Sequence, residues 1–391
     1  MTPAARVSAA IALLDDILQG APAEKALTVW ARNNRYAGSG DRAAIRDQVY
    51  SALRRLRSAA WAGGAGDAPT GRALMLGLLR QEGEDIDAIF TDARFAPVPL
   101  NDAERQMPGT APEPVALDCP DWLEADLRAS LGDDFVPVMT TLRDRAPITL
   151  RVNLRKSDPA HAAALLAEEG IATTPNPRAE TALSVTDGAR RVANSAVYRD
   201  GLVELQDAGS QALAQAVPVT DDARVLDYCA GGGGKTLALA ARVSAQFTAH
   251  DAIPARLRDL PDRARRAGVE VHVSDAPAQA GFDVVVADVP CSGSGAWRRQ
   301  PQAKWDLTPD RLAELTALQS EILDEAARCT APGGVLAYMT CALLDAENAA
   351  QISAFATRHP NWTVTETRTS RPDADGDGFF LALLQAPAQT E

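Results

Sequence analysis

Histidine is scarce in this chain: four among 391 residues, little material for imidazole catalysis or a histidine metal site. Cysteine is nearly as sparse. Cys119, Cys229, Cys291, Cys329 and Cys341 are odd in number, scattered, and form no C-x-x-C pair, which argues against a disulfide framework or a zinc site. No apolar run reaches the ~20 residues that a membrane helix requires. The apolar start of the chain is broken by Asp15 and Asp16, so it does not read as a signal peptide. The expectation is a cytoplasmic chain with no membrane partner. Positive charge is also in short supply. Lys and Arg number 39 against 52 Asp and Glu, a net charge of −13, the wrong sign for phosphate neutralisation over a whole surface. The basic charge that exists is clustered. Residues 142–199 hold nine Lys and Arg against six acids, and Ser294–Trp305 holds Arg298, Arg299 and Lys304 with no acid. A local basic face can hold a nucleic-acid backbone whatever the global sign.

What is present is a core-forming composition, 46% hydrophobic, over a length that suggests two or three domains. Residues 1–95 carry apolar positions at helical spacing (Ile11, Leu14, Leu18; Val49, Leu53, Leu56; Leu74, Leu78) and no strand signal, which predicts a small helical domain. Residues 96–139 open with Pro97, Pro99, Pro108, Pro112 and Pro114, a composition that suits a semi-rigid spacer, followed by a helix between Pro120 and Gly132. Residues 140–205 read as a small mixed unit: a strand at Ile148–Leu154, a helix at Pro159–Glu169, and strands near Ala182–Val185 and Gly201–Leu205. From Ala223, within a last domain of residues 206–391, strands and helices alternate. That pattern predicts an α/β fold with a doubly wound sheet, and the final two strands form a hairpin that adds one antiparallel strand.

The first chemical signal is Val225–Thr236, VLDYCAGGGGKT, between a buried strand and a helix. Glycines there let backbone approach a ligand. The segment nearly matches the nucleotide-binding loop G-x-x-x-x-G-K-[ST], but Cys229 stands where its first glycine belongs. Asp227, and Asp251 at the end of the next strand, suit a nucleoside cofactor, because an acid about twenty residues on can accept ribose hydroxyls.

The stronger signal is a pair of cysteines, Cys291 in Asp288-Val289-Pro290-Cys291 and Cys341 after Thr340, each closing an apolar strand. In a doubly wound sheet the carboxyl ends of the strands line the ligand crevice. A thiolate there can add to carbon 6 of cytosine, which makes carbon 5 electron-rich enough to take a methyl group. Asp288 is placed to hydrogen-bond the cytosine edge, and the base must be flipped out or single-stranded to be reached. The plainer reading, inert buried thiols, fits Cys229 and Cys329 better than this pair.

These residues resemble the Nop/Sun family of RNA cytosine-5 methyltransferases, most closely its RsmB-like branch, from about Trp122 to Leu384. The likeness rests on VLDYCAGGGGKT, DVPCSGSG, GAWRRQPQAKW, LQSEILDEAA, PGGVLAYMTCALLDAEN and the closing DGFF at Asp377–Phe380. The resemblance implies a Rossmann-like class I methyltransferase domain that uses S-adenosyl-L-methionine. It implies RNA, specifically small-subunit ribosomal RNA, as partner, and a chain acting as a monomer. It implies Cys341 as nucleophile, Cys291 assisting release, and Asp288 touching base and cofactor. Cys229, Ala230, Gly231, Gly232, Gly233, Gly234 and Lys235 would wrap the methionine part, Asp251 would hold the ribose, and Asp275 would sit near the adenine. Residues 140–205 would grip RNA. Residues 1–95 are more faintly similar to a NusB-like RNA-binding domain, with Arg42, Arg46, Arg54, Arg55 and Arg57 facing phosphates.

Two departures stand out: Gly231-Gly232 where the family has Ala-Pro, and Ala342 where it has Ser after the nucleophile. Two alternatives remain open at this point. One is a noncatalytic ribosome-assembly factor on a methyltransferase scaffold, and the other a nucleotide hydrolase using Gly234-Lys235-Thr236. Asp373–Gly378 opens like a calcium loop but lacks the closing Glu, so no metal is expected.

Overall fold

The computed structural model describes residues 1–66, 68–274 and 280–388. The chain divides into two compact units, one of residues 1–145 with 297–306, the other of residues 146–296 with 307–391. Among the described residues no helix is long and apolar enough to cross a membrane.

The first unit is built from the helices Pro3–Leu18, Ala23–Asn33, Ser39–Arg54, Leu56–Ala62 and Gly71–Glu82. Their apolar stripes, including Leu14, Leu27, Ile45, Leu53 and Leu74, meet in one core. Two of these helices cross at a glycine. A Cβ on Gly77 would lie 1.8 Å from the Ala59 carbonyl oxygen, so only glycine allows the approach.

Two expectations about this unit need correction. The Pro-rich stretch is fastened to the helices and is not a spacer. Arg72 pairs with Glu104 at 2.6 and 2.9 Å, Trp61 donates to the Gly109 carbonyl, and Leu100 sits in the core. Proline content fixes φ but says nothing about the side chains in between. The acid-free segment near residue 300 is not an exposed basic strip either. Arg298 and Lys304 are each 2% exposed. Lys304 donates to the Asp118 carbonyl at 2.8 Å, Arg54 donates to the Arg298 carbonyl at 2.6 Å, and Trp305 donates to the Leu53 carbonyl at 2.7 Å. Long cationic side chains bury their stems when carbonyls meet the head. The same holds for three of the five named arginines. Arg54 is buried, Arg55 pairs with Asp144, and Arg57 pairs with Asp121. Arg42 and Arg46 alone of the five are exposed.

The second unit holds two sheets. The smaller contains β1 (Thr149–Val152), β2 (Ala172–Pro175), β3 (Ala182–Asp187) and β4 (Val203–Leu205) in the order β2-β3-β1-β4, every pair antiparallel. The helix Pro159–Glu168 packs on it through Ala162 and Leu166. β2 gave no signal in sequence, because its residues are mostly exposed and carry no alternation.

The larger sheet contains β5 (Arg224–Asp227), β6 (Gln246–Ala249), β7 (His272–Val273), β8 (Phe282–Asp288), β9 (Thr330–Thr340), β10 (Thr363–Ser370) and β11 (Phe379–Gln385), in the order β10-β11-β9-β8-β5-β6-β7. Only β11 pairs antiparallel with its neighbours, as the helix-free connection before it foretold. Alternation sends Val284 and Val286 to one core with Leu239, and Val285 and Ala287 to the other with Leu323 and Phe355. Strand order reverses between β5 and β8. That is the switch point where ligands bind in open α/β sheets.

Candidate active site

β5 ends at Asp227, and the chain turns through the glycine loop into the helix Gly234–Ala240. Gly231 (φ 50°) and Gly233 (φ 80°) take left-handed conformations that side-chain-bearing residues avoid. The loop is tied from two sides. Asp251 accepts from the Gly231 amide at 3.0 Å and from the Ile253 amide at 2.8 Å, and Arg263 donates to the Gly232 carbonyl. Each Asp251 oxygen keeps a further lone pair for a ligand hydroxyl.

Lys235 and Thr236 do not wait for a phosphate. Thr236 gives its amide (3.1 Å) and hydroxyl (2.6 Å) to Asp227 Oδ2. Lys235, 5% exposed, gives its ammonium to Asp288 Oδ2 and Ser210 Oγ, both at 2.8 Å. Asp227 is 1% exposed, and its Oδ1 is buried with no partner. Burial pushes its carboxyl up to about 6, with Thr236 pulling the other way and the Asp288 charge adding to the rise. Three carboxylates (Asp227, Asp251, Asp288) thus surround this loop, and one oxygen of Asp227 lacks a donor. This donor set fits a cationic nucleoside with ribose hydroxyls, such as S-adenosylmethionine. It is wrong in sign for a polyphosphate.

Asp288 closes β8, and Cys291 lies three residues on. β9 runs parallel beside it with Met339 opposite Asp288, so Cys341 emerges next to Cys291. The two sulfurs are 3.4 Å apart, and both residues are partly accessible. The Cys291 thiol is pushed well up, first by its hydrogen bond with Cys341, then by burial and by the nearby Cys341 and Glu347 charges. Cys291 therefore stays protonated beside Cys341.

The turns bearing both cysteines are held by a network that sequence reasoning left without a role. Glu347, fully buried, accepts from the Ser292 amide (2.7 Å), the Ser292 hydroxyl (2.5 Å) and Gln319 (3.1 Å). Gln319 also donates to the Pro290 carbonyl at 3.0 Å. On the Cys341 side, Gly295 donates its amide to the Cys341 carbonyl (2.8 Å), the Leu343 amide donates to Ser294, and Thr340 donates to Asn348 at 2.6 Å. Glu347 and Asn348 stood in the quoted motif, but their partners come from three distant segments and cannot be read from spacing.

Of the expected site residues, the fold brings together Asp288, Cys291, Cys341 and Lys235, and joins Asp251 to the glycine loop. Cys229 borders that loop, where burial pushes its thiol up, and Ala230 donates its amide to the His250 carbonyl. Cys329 packs in the core. Asp275 lies outside the described residues. Asp373, in the calcium-like turn, pairs with Arg178 at 2.7 Å. Among the described residues no cluster of His, Cys, Asp or Glu could hold a metal.

A seven-stranded sheet with one antiparallel strand, and a cofactor-type loop at its switch point, define a Rossmann-like methyltransferase fold. Comparison with known proteins agrees. Residues 214–389 match the family model "16S rRNA methyltransferase RsmB/F", and residues 119–192 match the ferredoxin-like domain of RsmF/B-like methyltransferases. The chain is 36% identical over 292 residues to ribosomal RNA small subunit methyltransferase B of Xanthomonas campestris pv. campestris, covering 68% of this chain and 66% of that protein. It thus spans about two thirds of the length of the curated relatives it matches. The crystal structure of PH0851 superposes with a TM-score of 0.77 at 22% identity, over 98% of this chain and 99% of that one. NSun6 from Pyrococcus horikoshii with SFG superposes at 0.62 and 17% identity, over 69% of this chain and 99% of that one. The chain belongs to the RsmB/F family.

Proposed function

We propose that this chain methylates carbon 5 of a cytosine in small-subunit ribosomal RNA, with Cys341 as nucleophile and S-adenosylmethionine as donor. The observation that carries the reading is the 3.4 Å contact between Cys291 and Cys341 at the carboxyl ends of adjacent strands, beside Asp288. Two touching thiols offer one group for addition to a base and a second to assist release.

The Gly231–Lys235 loop and Asp251 would hold the donor, and the Asp227 carboxylate at the base of that loop would add negative charge near its cation. When bound, S-adenosylmethionine supplies an electrophilic methyl group. Cys341 thiolate adds to carbon 6 and forms the S–C bond, and the ring electrons move toward carbon 5. Asp288, oriented by Lys235, meets the polar edge of the base. The Cys291 thiol stabilises the Cys341 thiolate before attack. After methylation a water molecule takes the carbon-5 proton, the electrons of that C–H bond restore the carbon 5–carbon 6 double bond, the Cys341–carbon 6 bond breaks, and Cys341 departs as thiolate next to the same S–H group.

The nucleotide-hydrolase reading loses ground to one fact. Lys235 and Thr236, which would serve the phosphates and magnesium, are both engaged by carboxylates. The test is methyl transfer from labelled S-adenosylmethionine to unmethylated ribosomal RNA. Label on cytosine carbon 5 that disappears with Cys341→Ala is the expected result. No label with the wild type, together with no S-adenosylmethionine binding by titration, points instead to a noncatalytic assembly factor.

A further inference from the structure

Gly231–Gly234 are four glycines in succession, the sequence that gives a loop the most backbone freedom. A ligand that needs such a loop in one shape binds more weakly in proportion to how seldom that shape is populated. A proline at 232 would narrow the choice by locking its own φ, and this chain has none there. Whatever restrains the loop therefore bears directly on the affinity of the site.

The restraint comes from one helix, Leu260–Ala267, in which Leu260 and Arg263 are one turn apart and share a face. A Cβ on Gly233 would lie 2.2 Å from Cδ1 of Leu260. A Cβ on Gly232 would lie 2.7 Å from Nη1 of Arg263. Among the described residues nothing but that guanidinium and the adjoining residues comes within 4 Å of this second position. Gly232, unlike Gly231 and Gly233, is not left-handed. Its backbone conformation does not demand glycine; the guanidinium does, by occupying the space of a side chain. The same Nη1 donates to the Gly232 carbonyl. Behind it, Arg263 Nε lies 3.5 Å from Glu204 in β4, and Glu204 is 8% exposed and also pairs with Arg266 at 2.6 Å. The head that fills the place of a side chain at 232 is thus itself held.

We propose that Arg263 is a positioning residue for the methyl donor: its guanidinium takes the space of a residue-232 side chain and fixes the Gly232 carbonyl, so the loop has its binding shape before S-adenosylmethionine arrives. This rests on the reading of the loop as the donor site and adds to it a residue that acts through the loop.

The test uses the full chain. In Arg263→Leu, calorimetry should show the Kd for S-adenosylmethionine raised about tenfold, since a charged hydrogen bond to the loop is lost. Hydrogen exchange without cofactor gives a second readout. The Gly231 amide, bonded to Asp251 at 3.0 Å, and the Gly233 amide, bonded to the Ala230 carbonyl at 2.7 Å, should exchange about tenfold faster, with β9 unchanged. Adding Gly232→Pro to Arg263→Leu should recover about threefold of the lost affinity, because the vacated space admits the ring and proline narrows the loop's freedom. Gly232→Pro alone should bring no gain, since it meets the guanidinium. Gly232→Ala repeats the comparison with a smaller group should the proline variant fail to fold.

An Arg263→Leu protein with wild-type Kd and wild-type loop exchange overturns the proposal and leaves the donor site standing. Equal effects of Gly232→Pro with and without Arg263 overturn it too, because the two would then be independent. Weaker binding with unchanged loop exchange overturns it in favour of a direct contact. Faster exchange that extends to β9 and is not corrected at position 232 overturns it in favour of a general loss of stability. Wild type that binds no S-adenosylmethionine overturns the donor-site reading itself and this role with it.

Discussion

The sulfur of Cys291 lies 3.4 Å from the sulfur of Cys341, although fifty residues separate them in the chain. Both residues are partly accessible, and each lies just past the carboxyl end of a strand of the same parallel pair. The contact predicts unequal phenotypes. Cys341→Ala should abolish methyl transfer, by roughly a thousandfold or more, because the covalent route closes. Cys291→Ala should still form the S–C bond but release it slowly, so that a protein–RNA adduct resistant to denaturation accumulates on gels. Normal turnover by Cys291→Ala with no adduct would show that the second thiol has no part in release.

Asp227 predicts a pH signature. Burial raises its carboxyl to about 6 from an ordinary 3.8, so the fold binds its proton more tightly than the unfolded chain does. Its contribution to stability is fully present below pH 3.8 and is lost as pH rises through about 6. Asp227→Asn removes that loss. The difference in unfolding free energy between variant and wild type should therefore grow in the variant's favour between about pH 4 and 7, by on the order of 3 kcal/mol. The same substitution should weaken S-adenosylmethionine binding about tenfold or more by calorimetry, since a carboxylate charge at the base of the glycine loop is gone. A variant that is both less stable at neutral pH and unimpaired in binding would remove Asp227 from the site.

The fold of the second unit was largely legible. Strands β5, β8, β9 and β11 announce themselves as apolar runs bounded by glycine, proline or a polar turn, and the placement of both cysteines follows from their position at strand ends. The antiparallel final strand follows from the missing crossover helix. The helix Ala208–Ala216 gives no sequence signal, because AGSQALAQA carries few large apolar residues and no sharp periodicity. The ion pair of Lys235 with Asp288 spans 53 positions, and the unpartnered oxygen of Asp227 is a property of packing, so neither could be read from spacing. The basic segment misled for the opposite reason. Arg298 and Lys304 look solvent-facing by composition, and only tertiary carbonyl partners make their burial tolerable.

That burial predicts which basic residues leave RNA affinity alone. Lys304 meets the Asp118 carbonyl and lies 4.4 Å from the ring centre of Trp305, and burial pulls its ammonium down to about 8. Lys304→Ala should cost about 2–4 kcal/mol of stability through the lost stem packing and hydrogen bond. The salt slope of RNA binding should not move, because no phosphate contact is removed. A shallower slope in a folded Lys304→Ala protein would show that the ammonium reaches RNA.

Glu347 is the least expected part of the site. It has no solvent access, and burial raises its carboxyl, while the hydrogen bonds donated by Ser292 and Gln319 pull the other way. Two of these bonds come from Ser292, and the third comes from Gln319, which also grips Pro290. Cys291 is thus clamped on both sides, and its thiol feels the Glu347 charge as one of the causes raising it. Two substitutions separate the mechanical role from the electrostatic one. Glu347→Ala leaves three buried donors unmet and should lower stability by about 2–4 kcal/mol in urea. Glu347→Gln keeps the size but removes the charge, so the Cys291 thiol should ionise at lower pH. Mass spectrometry of iodoacetamide-treated protein between about pH 7 and 9.5 should then show Cys291 alkylated faster than in wild type, a readout independent of methyl transfer. An unchanged alkylation profile in a folded Glu347→Gln protein would leave Glu347 as a clamp alone, with the protonation of Cys291 set by Cys341 and by burial.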